Sequence, residues 1–312
     1  MKKQQGLRYG RTDMVEQRES VTAKLCAFAR AWHSNKVRQK IYDDYLAYDM
    51  MGKEEYDEIY ALIQKGLLED QKDLTGPEVE AMMTRYIAPI PLCRLPFTEN
   101  RLKQFAEKNK KVQYVICGAG SDTFSFRNTN PQIEIFEIDH PDTQRYKLEK
   151  IKKLEWNIPQ NVHFVSVDFE KEKMTTKLEA AGFDKNRKTF FSILGVSYYL
   201  KLPTFTKTLS QIAEFSVNGN VLVFDYPDNQ RHDAERVKEL EEITRRLGEE
   251  MQGGFDYGEV SRALYSLGFQ IDTYLPPEKV QSQYFSGRED GLSAFENVHL
   301  VSATYTGGYD YE

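Results

Sequence analysis

VQYVICGAGSDTFSF, residues 112–126, and IEIFEIDHP, residues 133–141, decide the fold of this chain. They read as an apolar strand, a glycine turn that opens a helix, and a second strand that ends in acids. Gly118 and Gly120 let the backbone turn sharply and approach a ligand closely. Asp139 follows about 20 residues later, where a carboxylate can accept hydrogen bonds from two ribose hydroxyls. The pattern indicates a site for an adenosine-containing ligand.

The glycine turn suits either NAD or S-adenosylmethionine. A dinucleotide turn has a third glycine three residues after the second, but position 123 is Thr. Asp122 precedes it, and an acid there repels a pyrophosphate but tolerates a sulfonium and an ammonium group. The residues therefore favour S-adenosylmethionine, and an NAD-dependent oxidoreductase is the less favoured alternative.

Short apolar runs alternate with helical patterns through the rest of the chain, which predicts an α/β fold with a doubly wound, mostly parallel, seven-stranded sheet. The last two strands are expected to pair antiparallel at the edge. The predicted strands are 112–117, 133–138, 162–167, 189–194, 220–225, 269–275 and 297–305.

The N-terminal third has helical patterns but none of these motifs. Polar residues 1–19 indicate a loose tail, and a helix is predicted from Ser20. Helical patterns follow at 36–51, 54–68 and 77–88. Three prolines in PIPLCRLPF, residues 89–97, predict a break and a hinge. We therefore expect a helical cap at 1–97 and a cofactor-binding core at 98–312.

Composition narrows the class of protein. The chain has 312 residues, with 48 acids against 42 bases and a net charge of −6, so a nucleic-acid partner is not expected. No run approaches about 18 apolar residues, which predicts a cytoplasmic protein without a membrane partner. Cys26, Cys93 and Cys117 lack a metal-like spacing, so no metal site is predicted. The oligomeric state stays open.

Four motifs together carry a family likeness. GAGSDTFSFR at 118–127, FEIDHP at 136–141, VDF at 167–169 and LGVSYYL at 194–200 occur in order. This set resembles the leucine carboxyl methyltransferase-like family of class I S-adenosylmethionine-dependent O-methyltransferases. The likeness covers roughly residues 20–305.

The resemblance extends the candidate cofactor site. It implies that Asp168 accepts a hydrogen bond from the adenine amino group and that Phe169 lies against the ring. It also implies that Arg94 makes a bidentate contact with the cofactor carboxylate. Lys24 lies in the apolar stripe of the first helix and would seek an anion, such as that carboxylate. The full predicted set is Lys24, Arg94, Gly118, Ala119, Gly120, Asp122, Asp139, His140, Asp168, Phe169, Leu194 and Gly195.

Several of these residues have structural alternatives. Asp122 or Asp168 could each cap a following helix. Lys24 could extend its ammonium to water along apolar surface, and Arg94 could pair with Glu99. His140 is near the ribose end of the site, where a purely structural role is favoured over a chemical one.

Leu194 departs from the family pattern, because the family has an acid just before the glycine. Beside it, Tyr198, Tyr199 and Asp225 are the candidate catalytic and substrate-pocket residues. The predicted reaction methylates an oxygen of a small molecule or of a protein C-terminus. A carboxylate acceptor needs no base, whereas a hydroxyl would need one such as Asp225 or His140. The alternative is a catalytically weak module that binds S-adenosylmethionine and acts as a sensor or partner-binding protein.

Overall fold

The structure is a computed structural model that describes residues 20–68, 73–168, 171–230 and 233–307. The predicted tail at 1–19 lies outside these ranges. None of the helices within them combines the length and the apolar composition needed to cross a bilayer.

A seven-stranded sheet forms the centre of the molecule. Its order is β3-β2-β1-β4-β5-β7-β6. β7 runs antiparallel to β5 and β6, and the other neighbouring pairs are parallel. The predicted fold class is confirmed. The strands are β1 Val112–Cys117, β2 Ile133–Asp139, β3 Val162–Ser166, β4 Thr189–Ile193, β5 Val221–Pro227, β6 Phe269–Leu275 and β7 Val298–Tyr305.

Both faces of the sheet are covered, which explains why its strands read as nearly continuous apolar runs. Successive side chains of a strand point to opposite faces. In β1, Tyr114 and Ile116 therefore join the core beneath the N-terminal helices, whereas Val115 and Cys117 join the core on the other face.

The N-terminal part is helical and packs on the first of these cores. It contains α1 Val21–Lys36, α2 Ala47–Met51, α3 Lys53–Gln64, α4 Gly76–Met82, a π-helical turn Met83–Ile87, and α5 Pro89–Lys108. The remaining helices are α6 Phe124–Arg127, α7 Pro141–Lys153, α8 Met174–Ala180, α9 Leu202–Phe215, α10 Glu235–Arg246, α11 Tyr257–Ser266 and α12 Pro277–Val280, with a 3₁₀ turn at Ser197–Tyr199 and a π-helical turn at Gln281–Phe285.

The proline segment is not the extended hinge that the sequence predicted. α5 begins at Pro89 and continues through residue 97 to Lys108. Pro89 is the first helical residue and Pro91 lies in the first turn, where the missing N–H groups have no helical acceptor in any case. Only Pro96 lies in the interior. The division into cap and core at residue 97 stays a prediction.

The helix predicted at 36–51 is also wrong over most of its length. α1 ends at Lys36, and beyond it only Ala47–Met51 of this range is α-helical. The connection is held by tertiary contacts instead. Nε2 of His33 accepts a hydrogen bond from the Ile41 N–H at 2.8 Å, and Asp44 is buried.

Candidate functional site

Two glycines shape the turn after β1. Gly118 has φ 76° and Gly120 has φ 47°, in the left-handed region that favours glycine. A Cβ added at Gly118 would lie 2.8 Å from Cγ2 of Val196. The turn therefore needs glycine to pass close to the loop after β4, at the point where the strand order reverses and open α/β sheets bind ligands.

Asp139 ends β2 and faces this turn. Its Oδ2 accepts a hydrogen bond from the Gly120 N–H at 2.6 Å, and its Oδ1 accepts one from the His140 N–H at 2.7 Å. Burial raises the pKa of the Asp139 carboxyl, although these hydrogen bonds and the nearby Lys147 oppose the rise. The carboxylate thus borders the turn where a ribose contact is expected, and that contact stays a prediction.

Asp122 holds the end of the turn. Its Oδ1 accepts a hydrogen bond from the Phe124 N–H at 2.6 Å, and Phe124 is the first residue of α6. This agrees with the helix-capping alternative, although α6 is only 4 residues long. Asp122 also lines the cavity described below, so its predicted role in cofactor binding stays a prediction.

Sequence reasoning missed Arg30, which ties α1 to the same turn. Its Nη2 donates to the carbonyl oxygen of Ser121 at 2.8 Å, and its Nη1 lies 3.5 Å from Oδ2 of Asp44. Asp44 is buried, accepts a hydrogen bond from Thr123 and pairs with Arg127 at 3.3 Å. The available signal was a charged residue within the apolar stretch AFARAWH of the first helix.

Arg94 projects from α5 to the loop after β4. Its Nη1 donates to Oδ2 of Asp225 at 3.2 Å, and its Nη2 lies 3.7 Å from Sγ of Cys26. A Cβ added at Gly195 would lie 2.7 Å from Nη1 of Arg94. Burial acts to lower the pKa of Arg94, but Asp225, together with Cys26 and Tyr198, raises that pKa above its ordinary value. The guanidinium is therefore charged. The alternative pair with Glu99 is wrong, since Glu99 binds Arg127 at 2.7 Å.

Asp225 is fully buried behind the wall of the cavity. Besides Arg94, it accepts hydrogen bonds from the Gly195 N–H at 2.8 Å and from Oη of Tyr198 at 2.9 Å. Burial, and then the Asp225 charge, raise the pKa of Tyr198 well above its ordinary value. Asp225 thus positions the loop and Arg94, and it does not present a free carboxylate to a substrate as the sequence suggested.

Tyr199 joins α1 to the segment after α10. Its Oη lies 2.7 Å from Oγ1 of Thr22, and Thr22 in turn contacts Glu249. Glu249 also accepts hydrogen bonds from the N–H groups of Val21 and Thr22 and from Oγ of Ser20 at 2.6 Å. Burial raises the pKa of Tyr199. The start of α1 is therefore fixed over the loop after β4.

These groups surround a cavity of about 370 Å³. It lies between the glycine turn, α1, the start of α5, the loop after β4, and α10. Of the predicted site residues, those that line it are Arg94, Gly118, Ala119, Gly120, Asp122, Asp139, Leu194, Gly195, Tyr198 and Tyr199.

Lys24 is not among the lining residues, although other residues of α1 are. Its Nζ lies 2.7 Å from Oε1 of Glu55 and 5.3 Å from the ring centroid of Tyr146. The anion that the sequence required for Lys24 is therefore a side chain of α3 rather than a cofactor carboxylate. The sequence pattern indicated an inward-pointing cation but not this partner.

The other predicted residues lie outside the cavity lining. His140 is exposed at the start of α7, where Nδ1 accepts from the Asp142 N–H at 3.4 Å, which favours the structural role. Asp168 pairs with Lys171 at 2.8 Å; it does not cap α8, which begins at Met174. Its adenine contact stays a prediction, and Phe169 lies outside the described residues. Within the described ranges, no cluster of three or more His, Cys, Asp or Glu side chains could hold a metal ion.

The strand order, with its antiparallel edge, and the cavity at the reversal point define the class I methyltransferase fold. The chain belongs to the leucine carboxyl methyltransferase family, whose model matches residues 23–213. The resemblance seen in the four sequence motifs is therefore confirmed.

Similar proteins extend the match to nearly the whole chain. YktD of Bacillus subtilis (strain 168) is 35% identical over 303 residues, which cover 93% of this chain and 99% of that protein. A protein of Mycolicibacterium gilvum (strain PYR-GCK) is 26% identical over 220 residues, 70% of each chain. Both are provisionally named S-adenosyl-L-methionine-dependent methyltransferases.

Solved structures share the fold. A DUF574 family protein from Streptomyces avermitilis has a TM-score of 0.52 and 11% identity, covering 78% of this chain and 95% of that one. A Thermobifida fusca chain with a provisional methyltransferase title has a TM-score of 0.52 and 14% identity, covering 79% and 94%. Family and relatives together identify this chain as an S-adenosylmethionine-dependent methyltransferase, and the prediction of this cofactor over NAD is confirmed.

The cavity fits this cofactor. Within the described residues, Nε of Arg94 and Nε of Arg30 are buried without a hydrogen-bond partner, and both side chains line the cavity. A guanidinium with a free N–H suits the cofactor carboxylate. Asp139 and the glycine turn border the same space. Arg94 and Asp139 are thus the residues that would hold the two polar ends.

Proposed function

We propose that this methyltransferase transfers its methyl group to a carboxylate oxygen. The observation that carries the proposal is that the acidic and phenolic groups around the loop after β4 are already engaged. Asp225 accepts three hydrogen bonds, Tyr198 donates to Asp225, and Tyr199 is hydrogen-bonded to Thr22. Burial raises the pKa of both tyrosines, so they remain protonated at neutral pH.

A hydroxyl acceptor would have to lose its proton to a base. Of the two candidate bases, Asp225 is engaged and His140 lies outside the cavity lining. A carboxylate arrives ionised and needs no base. The family also supports the proposal, since it takes its description from a carboxyl methyltransferase.

Bound S-adenosylmethionine supplies a methyl group on a positively charged sulfur. The acceptor oxygen would form a bond to the methyl carbon as the carbon–sulfur bond breaks, the electron pair would stay on sulfur, and no proton would be transferred. Opposite charges cancel in this step, so a site that excludes water favours it. The protein has to align the two reactants, and such positioning can supply on the order of 7–11 kcal/mol. Arg94 and the glycine turn would fix the donor, and the loop after β4 would exclude water.

The chemical stability of the product tests the proposal. We would incubate the protein with S-adenosylmethionine labelled in the methyl group and with matched acids and alcohols, such as 3-phenylpropanoic acid and 3-phenylpropanol. A methyl ester releases labelled methanol in mild alkali, whereas a methyl ether does not. Alkali-labile product from the acid is expected. Alkali-stable product from the alcohol would overturn the carboxylate assignment. Binding of S-adenosylhomocysteine without transfer to a broad panel, protein extracts included, would favour the sensor alternative.

A further inference from the structure

We infer that the acceptor is a small monocarboxylic acid whose body is apolar and uncharged. This deepens the proposed carboxylate methylation and rests on it. The body would occupy the part of the cavity formed by the start of α5, the loop after β4, and α10 with the segment that follows it, which we call the acceptor chamber. Its walls are Ile87, Ile90, Tyr199, Leu240, Ile243 and Met251.

Charge is divided unevenly over the cavity wall. Among the described lining residues, the charged ones are Arg30, Arg94, Asp122 and Asp139. Asp122 and Asp139 belong to the glycine turn and the end of β2, and Arg30 bonds to the turn itself. Arg94 is held against the loop after β4 by Asp225. The charged side chains thus match the polar groups of the cofactor.

α10 turns its apolar face to the chamber. Leu240, Ile243 and Thr244 line the cavity, at the three- and four-residue spacing of one helical face. Two acids of this helix have partners of their own: Glu239 accepts a hydrogen bond from Tyr86 at 2.7 Å, and Glu242 pairs with Arg245 at 2.7 Å. A second charge on an acceptor would therefore lie against aliphatic side chains, which disfavours it strongly.

The chamber is preformed rather than a gap between loose segments. Ile90 and Tyr198 are buried in one apolar cluster, and Tyr199, Leu240 and Met251 pack against it. The Gln252 N–H donates to the carbonyl oxygen of Tyr198 at 2.9 Å, which fixes Met251 beside the tyrosine loop. Leu240 and Met251 keep part of their apolar surface uncovered. An apolar ligand body would bury that surface, which is the main source of affinity for such ligands.

Calorimetry on the full chain saturated with S-adenosylhomocysteine tests the inference without requiring turnover. The probes are butanoate, hexanoate and octanoate, with hexanedioate and octanedioate as matched diacids. Each added methylene that enters the chamber should tighten monoacid binding about fourfold, the equivalent of about 0.8 kcal/mol. The diacids should bind at least tenfold more weakly than monoacids of equal length. Equal affinity for both series, or no dependence on chain length, would overturn the inference.

Two variants in the chamber sharpen this result. Leu240→Glu should weaken octanoate binding at least tenfold and leave S-adenosylhomocysteine binding within about twofold. Lys238→Glu is the matched control, because Lys238 is exposed on the same helix and should change neither affinity. If Leu240→Glu fails to fold, Met251→Lys provides the second test, since a cation in the chamber should favour octanedioate over octanoate. Unchanged octanoate binding in Leu240→Glu, or unchanged preference in Met251→Lys, would contradict the chamber.

The two proposals fail in different ways. Alkali-stable product from an alcohol, with the apolar monoacid preference intact, would remove the carboxylate assignment and leave the apolar chamber. Diacid binding equal to monoacid binding, with labelled methanol still released from product, would remove the chamber and leave the carboxylate assignment.

Discussion

Arg94 and Lys24 show why two similar cations have different roles. Both were expected to hold the cofactor carboxylate, but only Arg94 lines the cavity and has a buried N–H without a hydrogen-bond partner. Lys24 shares Glu55 with Lys150, so Glu55 keeps one cation if Lys24 is lost. The position of the anion, rather than the direction of the helix face, decides which cation can bind a ligand.

Arg94→Ala should therefore weaken the binding free energy for S-adenosylmethionine by roughly 1.5–3 kcal/mol, the scale of a charged hydrogen bond. Lys24→Ala should leave it nearly unchanged. Adenosine has no carboxylate, so its binding should be almost the same in both variants. Calorimetry measures all of these affinities. If Arg94→Ala weakened adenosine equally, Arg94 would support the fold rather than the ligand. A large loss in Lys24→Ala would return Lys24 to the cofactor site.

His33 makes the stability of the cap depend on pH. It is fully buried, and burial, with Arg288 nearby, lowers its pKa from 6.5 to about 4. The unfolded chain takes up a proton at His33 as the pH falls through 6.5, whereas the folded chain does so only near 4. The free energy of unfolding should therefore decrease over this window, by about 1–2 kcal/mol between pH 6.5 and 5.

Replacing the imidazole checks this directly. His33→Gln keeps an oxygen that can accept from the Ile41 N–H but cannot be protonated in this range. Urea unfolding at pH 7 and pH 5 should show a smaller decrease for His33→Gln than for the original chain. The same decrease in both would assign the pH dependence to other groups.

For individual residues, the sequence predicted those roles that depend on the local backbone. The turn at Gly118 and Gly120, followed by Asp139, could be found because two positive φ values and a strand end are local properties. Arg30 and the engagement of Asp225 could not. Their roles depend on partners far along the chain, since Arg30 meets Ser121 and Asp225 meets Arg94.

Among the elements, strands were predicted better than helices. β1 at Val112–Cys117 and β6 at Phe269–Leu275 match their predicted ranges, because a buried strand carries its apolar pattern within a few residues. α5 was misjudged because prolines at the start of a helix cost little, although the same residues signal a break elsewhere. The connection after α1 was misjudged because tertiary contacts such as that of His33 override a helical pattern.

The start of α1 provides a prediction for an element. Glu249 accepts hydrogen bonds from the first N–H groups of the helix and contacts the side chains of Ser20 and Thr22. Glu249→Gln removes the negative charge that complements this helix end, which should cost about 0.5–2 kcal/mol of stability. Amide exchange at residues 21–24 should become faster, and S-adenosylhomocysteine binding weaker, because Ser20 and Thr22 line the cavity.

Glu250→Gln is the matched control. Glu250 is the next residue and is exposed, so its loss should change neither exchange nor binding. Identical behaviour of the two variants would mean that the charge at position 249 does not hold the helix.

On the scale of the molecule, the cavity is assembled from parts that are distant in sequence. The sheet supplies the glycine turn and Asp139, the N-terminal helices supply Arg30 and Arg94, and α10 closes the acceptor side. A ligand that contacts all three stabilises their arrangement through mass action. The stabilising effect of cofactor binding should therefore extend well beyond the glycine turn that the sequence identified.

Hydrogen exchange with bound S-adenosylhomocysteine tests this coupling. At about 100 times the dissociation constant, the ligand should stabilise the fold by about 2.7 kcal/mol. Protection should increase at residues 118–122 and also along α1, because Ser20, Thr22 and Arg30 share the cavity with the turn. In the described ranges, α11 supplies none of the lining residues. Protection of those α11 amides that exchange by local opening should therefore change little. NADH at the same concentration should protect neither segment. Protection confined to 118–122 would show that α1 packs beside the bound cofactor without contributing to its affinity, and Arg30 would then act only on the shape of the turn.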